Sequence, residues 1–147
     1  MAVTVRFKKL DSRAKVPSYG SLSAAGADLY ALCEGDLFIL PGETALVHTG
    51  IAVELPEGYA GLIYARSGLA TKRGLAPANK VGVVDADYRG EIMVALHNHS
   101  AETQKIASEE RIAQLVVTPF LRVEFEETDD LSDTQRGAGG FGSTGTR

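Results

Sequence analysis

Residues 45–55 read ALVHTGIAVEL and residues 60–65 read AGLIYA, and the turn signal PEG beginning at Pro56 stands between them. Both are apolar runs of strand length, and a turn ends one before the next begins. The pattern repeats outward in both directions. VTVRF (3–7) and DLFIL (36–40, closed by PGE at Pro41) precede it. GVV (82–84), EIMVALHN (91–98), IAQLVVTPF (112–120) and LRVEFEE (121–127) follow it. Short strands at regular spacing predict an all-β fold, a sandwich or barrel. One stretch departs from this. In SGLATKRG (67–74), Ser67 fits an N-cap, Leu69 to Arg73 favour helix and Gly74 fits a stop, which predicts about two helical turns.

At 147 residues the chain has the size of one domain, able to bury about 68–70% of its unfolded surface without staples. Its single cysteine, Cys33, has no internal partner, and no charged-then-apolar leader or membrane-length apolar run is present. These features predict a soluble, cytoplasmic protein that does not engage membranes. The net charge of −4 argues against general binding to nucleic acid backbone. Charge is nevertheless segregated. Residues 61–80 carry Arg66, Lys72, Arg73 and Lys80 with no acid, residues 124–133 (EFEETDDLSD) are almost purely acidic, and the tail is basic again from Arg136. Two basic segments far apart in sequence could hold one small anion.

The anion reading is most concrete at Ser67. A short helix opening at Arg66-Ser67-Gly68 presents unpaired N–H groups at its positive end, which suits phosphate; a plain capped surface helix is the alternative. In GVVDADYRGE (82–91), Asp85 and Asp87 would share one face of a strand, although acid-rich turns closed by glycine are common. Asp28, in AAGADLYA, is a third candidate acid. His97 and His99 share a face but lack further ligands at zinc spacing, so any metal is expected to be a hard one, Mg²⁺, held by phosphate oxygens and water. No serine–histidine–acid set, Walker loop or dinucleotide fingerprint occurs. The last twelve residues, RGAGGFGSTGTR, hold five of the 16 glycines. By composition alone they form a mobile terminus.

Five stretches in chain order, AAGADLYA, ARSGLATKRGL, NKVGVVDADYRGE, RIAQLVV and RGAGGFGSTG, resemble the five motifs of the trimeric dUTP pyrophosphatases (dUTPases). The resemblance implies a jelly-roll-like β fold over residues 1–147. It also implies a homotrimer with sites at subunit contacts, and Mg²⁺-dependent cleavage of dUTP to dUMP and pyrophosphate by water attack at the α-phosphate. Such an activity limits uracil incorporation into DNA and supplies dUMP for thymidylate synthesis.

Position by position, the resemblance makes Asp85 the residue that orients and deprotonates the water, and Gln114 one that reaches the phosphate and water region. Asp28 would hold the magnesium through water. Arg66, Ser67 and Gly68 would face the phosphates. A β-hairpin from Asn79 through Gly82, Val83 and Val84 would read uracil, and Tyr88 with Met93 would exclude a ribose 2′-hydroxyl. In the tail, Arg136 would clamp the terminal phosphate, Phe141 would stack on uracil, and Gly142, Ser143 and Thr144 would donate to the γ-phosphate. Residues 136–147 thereby become a lid. Ala65 stands where the family often has proline, and Ser108-Glu109-Glu110 where Gly-Asp is common. A dCTP deaminase shares fold and some motifs, but would need a glutamate acting on the base and lacks the complete fifth motif. A dUTP-sensing regulator without turnover is the other alternative.

Overall fold

The computed structural model describes residues 3–143 and Gly145. Eleven strands and one helix follow in chain order. They are β1 (Arg6–Lys9), β2 (Ser18–Tyr19), β3 (Ala27–Tyr30), β4 (Leu37–Ile39), β5 (Thr44–Glu54), β6 (Tyr59–Tyr64), α1 (Ser67–Arg73), β7 (Leu75–Pro77), β8 (Gly82–Val84), β9 (Glu91–Asn98), β10 (Gln104–Ile106) and β11 (Arg111–Pro119). The strands form a four-stranded sheet β1-β5-β9-β7, a five-stranded sheet β2-β3-β11-β6-β8 and a two-stranded ribbon β10-β4. Every pairing is antiparallel. The fold is nearly all-β, as the strand spacing predicts, and jelly-roll-like, as the resemblance implies.

Alternation sets the inward faces. Along β9 the side chains of Ile92, Val94, Leu96 and Asn98 are buried and those between them are not, the period-2 signature of a half-buried strand. Ile92, Val94 and Leu96 meet Leu29, Ile63, Ile112 and Leu115 of the five-stranded sheet in one apolar cluster. The one amide in this row is satisfied. Asn98 Nδ2 donates to the carbonyls of Ile39 (2.9 Å) and Glu102 (2.7 Å), and its Oδ1 accepts from the Ser100 N–H and hydroxyl, so its burial carries no orphaned polar group. Burial, with Asp36 and Glu110 nearby, pushes the Cys33 thiol up. Among the described residues no helix is long and apolar enough to cross a membrane.

The structure corrects the sequence reading in several places. The first run predicted a strand over residues 3–7, but β1 begins only at Arg6. LRVEFEE forms no strand, and Leu121, Val123 and Phe125 stand exposed. Four pairing segments, β2, β3, β7 and β10, are only two to four residues long, too short to show a period. Ser67 is not the N-cap: Arg66 occupies that position in extended conformation without a side-chain cap bond, and Ser67 is the first helical residue. Gly74 does end the helix, left-handed at φ 66°, where a Cβ would lie 2.9 Å from Ser100 N.

Candidate active site

The first group of polar side chains gathers where β3, β11 and β6 run side by side. Asp28 lies opposite Gln114, and Gln114 opposite Tyr64. A bulge between Arg111 and Ala113 breaks the alternation of β11, and Ile112 and Ala113 are both buried. It turns Arg111 to the side that Gln114 occupies. Asp28 Oδ1 accepts from Arg66 Nε at 2.8 Å and its Oδ2 from Arg111 Nη1 at 3.4 Å, with the carboxylate side chain only 13% exposed. Gln114 Nε2 donates to the Ala65 carbonyl at 2.8 Å, which fixes the chain just before α1. The first turn of α1 contains no acid and Gly68 has open space around it, so the helix start is accessible. Arg73 does not join this group. It is drawn to the other side by Glu110, Gln104 and the Lys105 carbonyl.

The second group surrounds a cavity of about 250 Å³. Asn79, Gly82, Val83, Val84, Asp85, Tyr88 and Met93 all line it, joined by Leu46, Ile63, Glu91 and Ile92. The segment that shapes it is not the β-hairpin the resemblance implies. β7 pairs with β9 and β8 with β6, so residues 78–81 cross from one sheet to the other. The crossing is tight: Lys80 has φ 66°, and the Val81 N–H donates to the Asn79 carbonyl at 2.7 Å. A Cβ on Gly82 would stand 3.2 Å from Ile63 Cβ and 3.5 Å from Asn79 Nδ2. Glycine thus lets the amide close over the strand. Asp85 follows β8 in an exposed turn whose carbonyl accepts the Tyr88 N–H at 3.1 Å.

The two groups are well separated in one chain. Val84 lies opposite Gly61, near the start of β6, whereas Gln114 and Asp28 lie level with Tyr64 at its end. Three strand spacings sideways and four residues along put Asp28 and Asp85 roughly 20 Å apart.

A family model described as dUTPase matches residues 12–145. The chain is 50% identical over 141 residues to the deoxyuridine 5'-triphosphate nucleotidohydrolase of Nautilia profundicola, covering 96% of this chain and 98% of that protein. It is 48% identical over 131 residues to that of Anaplasma marginale, covering 89% of each. Among solved structures it is similar to the Staphylococcus bacteriophage 80alpha dUTPase with dUPNHPP. There the TM-score is 0.84 at 29% identity, over 97% of this chain and 98% of that one.

The chain belongs to the dUTPase family.

The fifth motif of this dUTPase lies apart from both groups. Residues 121–138 are exposed throughout. The hydrogen bonds recorded beyond residue 127 stay within the tail, for example Arg136 Nε to the Gly139 carbonyl at 2.7 Å. Phe141 is fully exposed with a left-handed φ of 50°. Gly142 and Ser143 sit in the same turns, and Thr144 lies outside the described residues. The histidine pair is a local feature of this dUTPase. The rings of His97 and His99 meet edge to face at 4.4 Å, and His97 Nδ1 shares a hydrogen bond with Thr44 Oγ1. Among the described residues no three His, Cys, Asp or Glu side chains are grouped to hold a metal ion.

Sequence reasoning passed over Arg111, Leu46 and Glu91. Arg111 is hidden because only the bulge brings it round, and the adjacent buried pair Ile112-Ala113 is the one local trace of it. Gly26 gives a test of the first group. A Cβ there would lie 2.3 Å from Gln114 Oε1 and 3.1 Å from its Cβ, so Gly26→Ala must displace the glutamine. We expect a loss of about 1–3 kcal/mol, read as a lower melting temperature by circular dichroism; an unchanged melt would mean that Gln114 swings aside freely.

Proposed function

We propose that this protein hydrolyses dUTP to dUMP and pyrophosphate, in a site that two or more copies of the chain complete together. The observation that carries the reading is the 250 Å³ cavity that gathers the residues assigned to base and sugar together with Asp85. The Asn79 amide and the backbone of residues 82–84 complement the uracil edge. Cytosine presents the reversed donor and acceptor pattern, and the thymine methyl group would meet the strand. Tyr88 and Met93 close the space a 2′-hydroxyl would need. The Asp85 carboxylate takes the proton of a water whose oxygen bonds to the α-phosphorus as the bridge to the β-phosphate breaks. Pyrophosphate then departs with the bridging oxygen.

The phosphates belong with Arg66, Ser67, Gly68 and Gln114, where an arginine, an open helix start and an amide converge. A general base must stand within hydrogen-bond reach of its water. Asp85 therefore cannot serve phosphates held roughly 20 Å away on its own chain, and a second copy must bring its Asp28 and Arg66 group to this cavity. A homotrimer satisfies that need, and the exposed Leu121, Val123 and Phe125 give the arm an apolar row to lay on a neighbouring copy. Residues 136–147 act as the lid, with Arg136 on the terminal phosphate, Phe141 on uracil, and Gly142, Ser143 and Thr144 near the γ-phosphate. Glycine at 137 and 142, both at positive φ, lets that backbone turn closely around an anion.

Magnesium fits this donor set as a guest of the triphosphate. Asp28 is a hard oxygen donor flanked by two arginines, and a single carboxylate suits an ion that keeps most of its waters and phosphate oxygens. When bound, Mg²⁺ offsets the charge of the phosphates. Asp28 is its link to the protein, through water. A cytoplasmic setting suits a chain with one cysteine and no pair to oxidise.

Pyrophosphate release with dUTP, dCTP, dTTP and UTP, each with Mg²⁺ and with excess chelator, tests the proposal. We expect kcat/KM for dUTP to exceed that for dCTP by at least about 100-fold, since the reversed base leaves the site's own polar groups unpaired, and that for dTTP and UTP by at least about 10-fold, the scale of discrimination by pocket shape. Chelation should abolish turnover. Equal use of dCTP, or ammonia in place of pyrophosphate, would overturn it.

A further inference from the structure

We infer that Gly90 and Glu91 are positioning residues for sugar selection, holding Tyr88 against the substrate from a built-in bulge in β5. The inference rests on the reading of Tyr88 as the wall that excludes a 2′-hydroxyl.

β5 and β9 pair regularly from Thr44 opposite His97 to His48 opposite Met93, and then the register slips, resuming with Ala52 opposite Glu91. Three residues of β5, Thr49, Gly50 and Ile51, thus face Ile92 alone. The Glu91 carboxylate fills this bulge. Its Oε1 accepts the Gly50 N–H at 2.8 Å and its Oε2 pairs with His48 Nδ1 at 2.9 Å, so one side chain ties both sides of the distortion to the start of β9. Thr49 adds a buried bond, its hydroxyl donating to the Ile92 carbonyl at 2.6 Å. The bulge tolerates no other residue at its apex. Gly50 has φ 67°, and a Cβ there would lie 2.7 Å from Leu32 Cδ2 and 2.8 Å from Ala14 Cβ. Bulges of this kind re-aim the residues beside them.

Tyr88 takes its place from the same two residues. Its hydroxyl donates to the Glu91 carbonyl at 2.8 Å. Its ring lies where a Cβ on residue 90 would be, 2.4 Å from Oη and 2.6 Å from Cζ. The ring is half exposed and has no other recorded hydrogen bond through its hydroxyl, so these contacts decide where it stands. Glu91 lines the 250 Å³ cavity beside Tyr88, and also a second cavity of about 480 Å³ with His48, Arg13 and Cys33. Leu46 is the other residue that lines both. The chain of causes runs from the Glu91 side chain to the main chain at 91, and from there to the Tyr88 ring. A shift of about 1 Å at such a point can cost 100-fold in a positioned reaction. Here the shift would loosen the sugar pocket, because the hydrogen bonds to the base are made by residues 79–84.

The test is steady-state kinetics of the full-length protein with dUTP, UTP and dCTP, comparing Tyr88→Ala, Gly90→Ala, Glu91→Ala and Glu91→Gln. We expect Gly90→Ala and Glu91→Ala to lower the dUTP-over-UTP ratio of kcat/KM by at least about 10-fold, the scale of discrimination by pocket shape. They should approach Tyr88→Ala, chiefly through a lower KM for UTP. The dUTP-over-dCTP ratio should stay within about two-fold. Glu91→Gln should restore sugar selection, because its amide oxygen still accepts the Gly50 N–H and its nitrogen can donate to His48 Nδ1. Mere loss of stability would instead lower activity toward all three substrates together and would not be rescued selectively. If Glu91→Ala does not fold, Gly90→Ala decides, since it displaces the ring and leaves the bulge intact. A dUTP-over-UTP ratio unchanged in Gly90→Ala while Tyr88→Ala alters it would overturn the inference alone. A ratio unchanged in Tyr88→Ala would remove the sugar-wall reading and the inference with it.

Discussion

Asp85→Asn is expected to lower kcat for dUTP by a factor of roughly 10²–10⁴, the contribution of a positioned general base, while the dissociation constant for a non-hydrolysable dUTP analogue changes by less than about three-fold. The amide keeps the shape of the carboxylate but cannot take the proton from water. The fold should not suffer. Asp85 lies in an exposed turn after β8, and the bond that shapes the turn is made by its backbone carbonyl to the Tyr88 N–H. Single-turnover hydrolysis and analogue binding, measured on the same preparation, separate the two effects. Near-normal turnover would remove Asp85 from its role, and loss of binding with turnover would make it a ligand for the nucleotide.

Removal of residues 136–147 is expected to leave the melting temperature within about 2 °C of the parent and to lower kcat/KM for dUTP by at least roughly 100-fold. The first half follows from the structure. Among the described residues no strand lies beyond β11, and residues 121–138 are exposed, so the described part of the tail takes no core packing with it. The second half follows from the lid. In the proposed lid Arg136 would carry a charge-assisted contact to phosphate and the neighbouring backbone would add donors, and one such donor in a closed site is worth about 10²–10³ in rate. Melting followed by circular dichroism, together with a pyrophosphate assay, checks both halves. Full activity in the shortened chain would return the glycine tail to a mobile terminus with no part in the reaction.

Much of the sheet was legible because local alternation and burial coincide. EIMVALHN reads as a strand and buries every second side chain, and the long run around Val47 and Ile51 became β5 with bounds within a residue of those read. What alternation cannot report is pairing across the sequence. The two-residue slip in β5 is set by Glu91, some forty residues away, and the bulge at Ile112 changes which side Arg111 faces. LRVEFEE is the instructive miss. Its apolar residues fall at alternate positions, as in a strand, yet in a single chain nothing pairs with it and Leu121, Val123 and Phe125 remain exposed. A neighbouring copy in the proposed oligomer would give such a pattern something to pair with. The candidate site divides in the same way. Asn79 to Met93 are close in sequence and converge on one cavity, whereas Asp28, Arg66 and Gln114 come together only through strand pairing.

In the proposed enzyme no single chain completes a site, because the base of one copy works under the arm of another; mixing two inactive variants decides this. Asp85→Asn chains keep the phosphate group and the arm, and chains lacking residues 136–147 keep the base. Each variant is purified, the two are unfolded and refolded together, and mixed oligomers are confirmed by native mass spectrometry before dUTP hydrolysis is measured. Sites built across copies predict activity in the mixture well above that of either variant refolded alone, because some sites then join an intact Asp85 to an intact arm. Confirmed mixed oligomers that are no more active than their parents would return each site to its own chain.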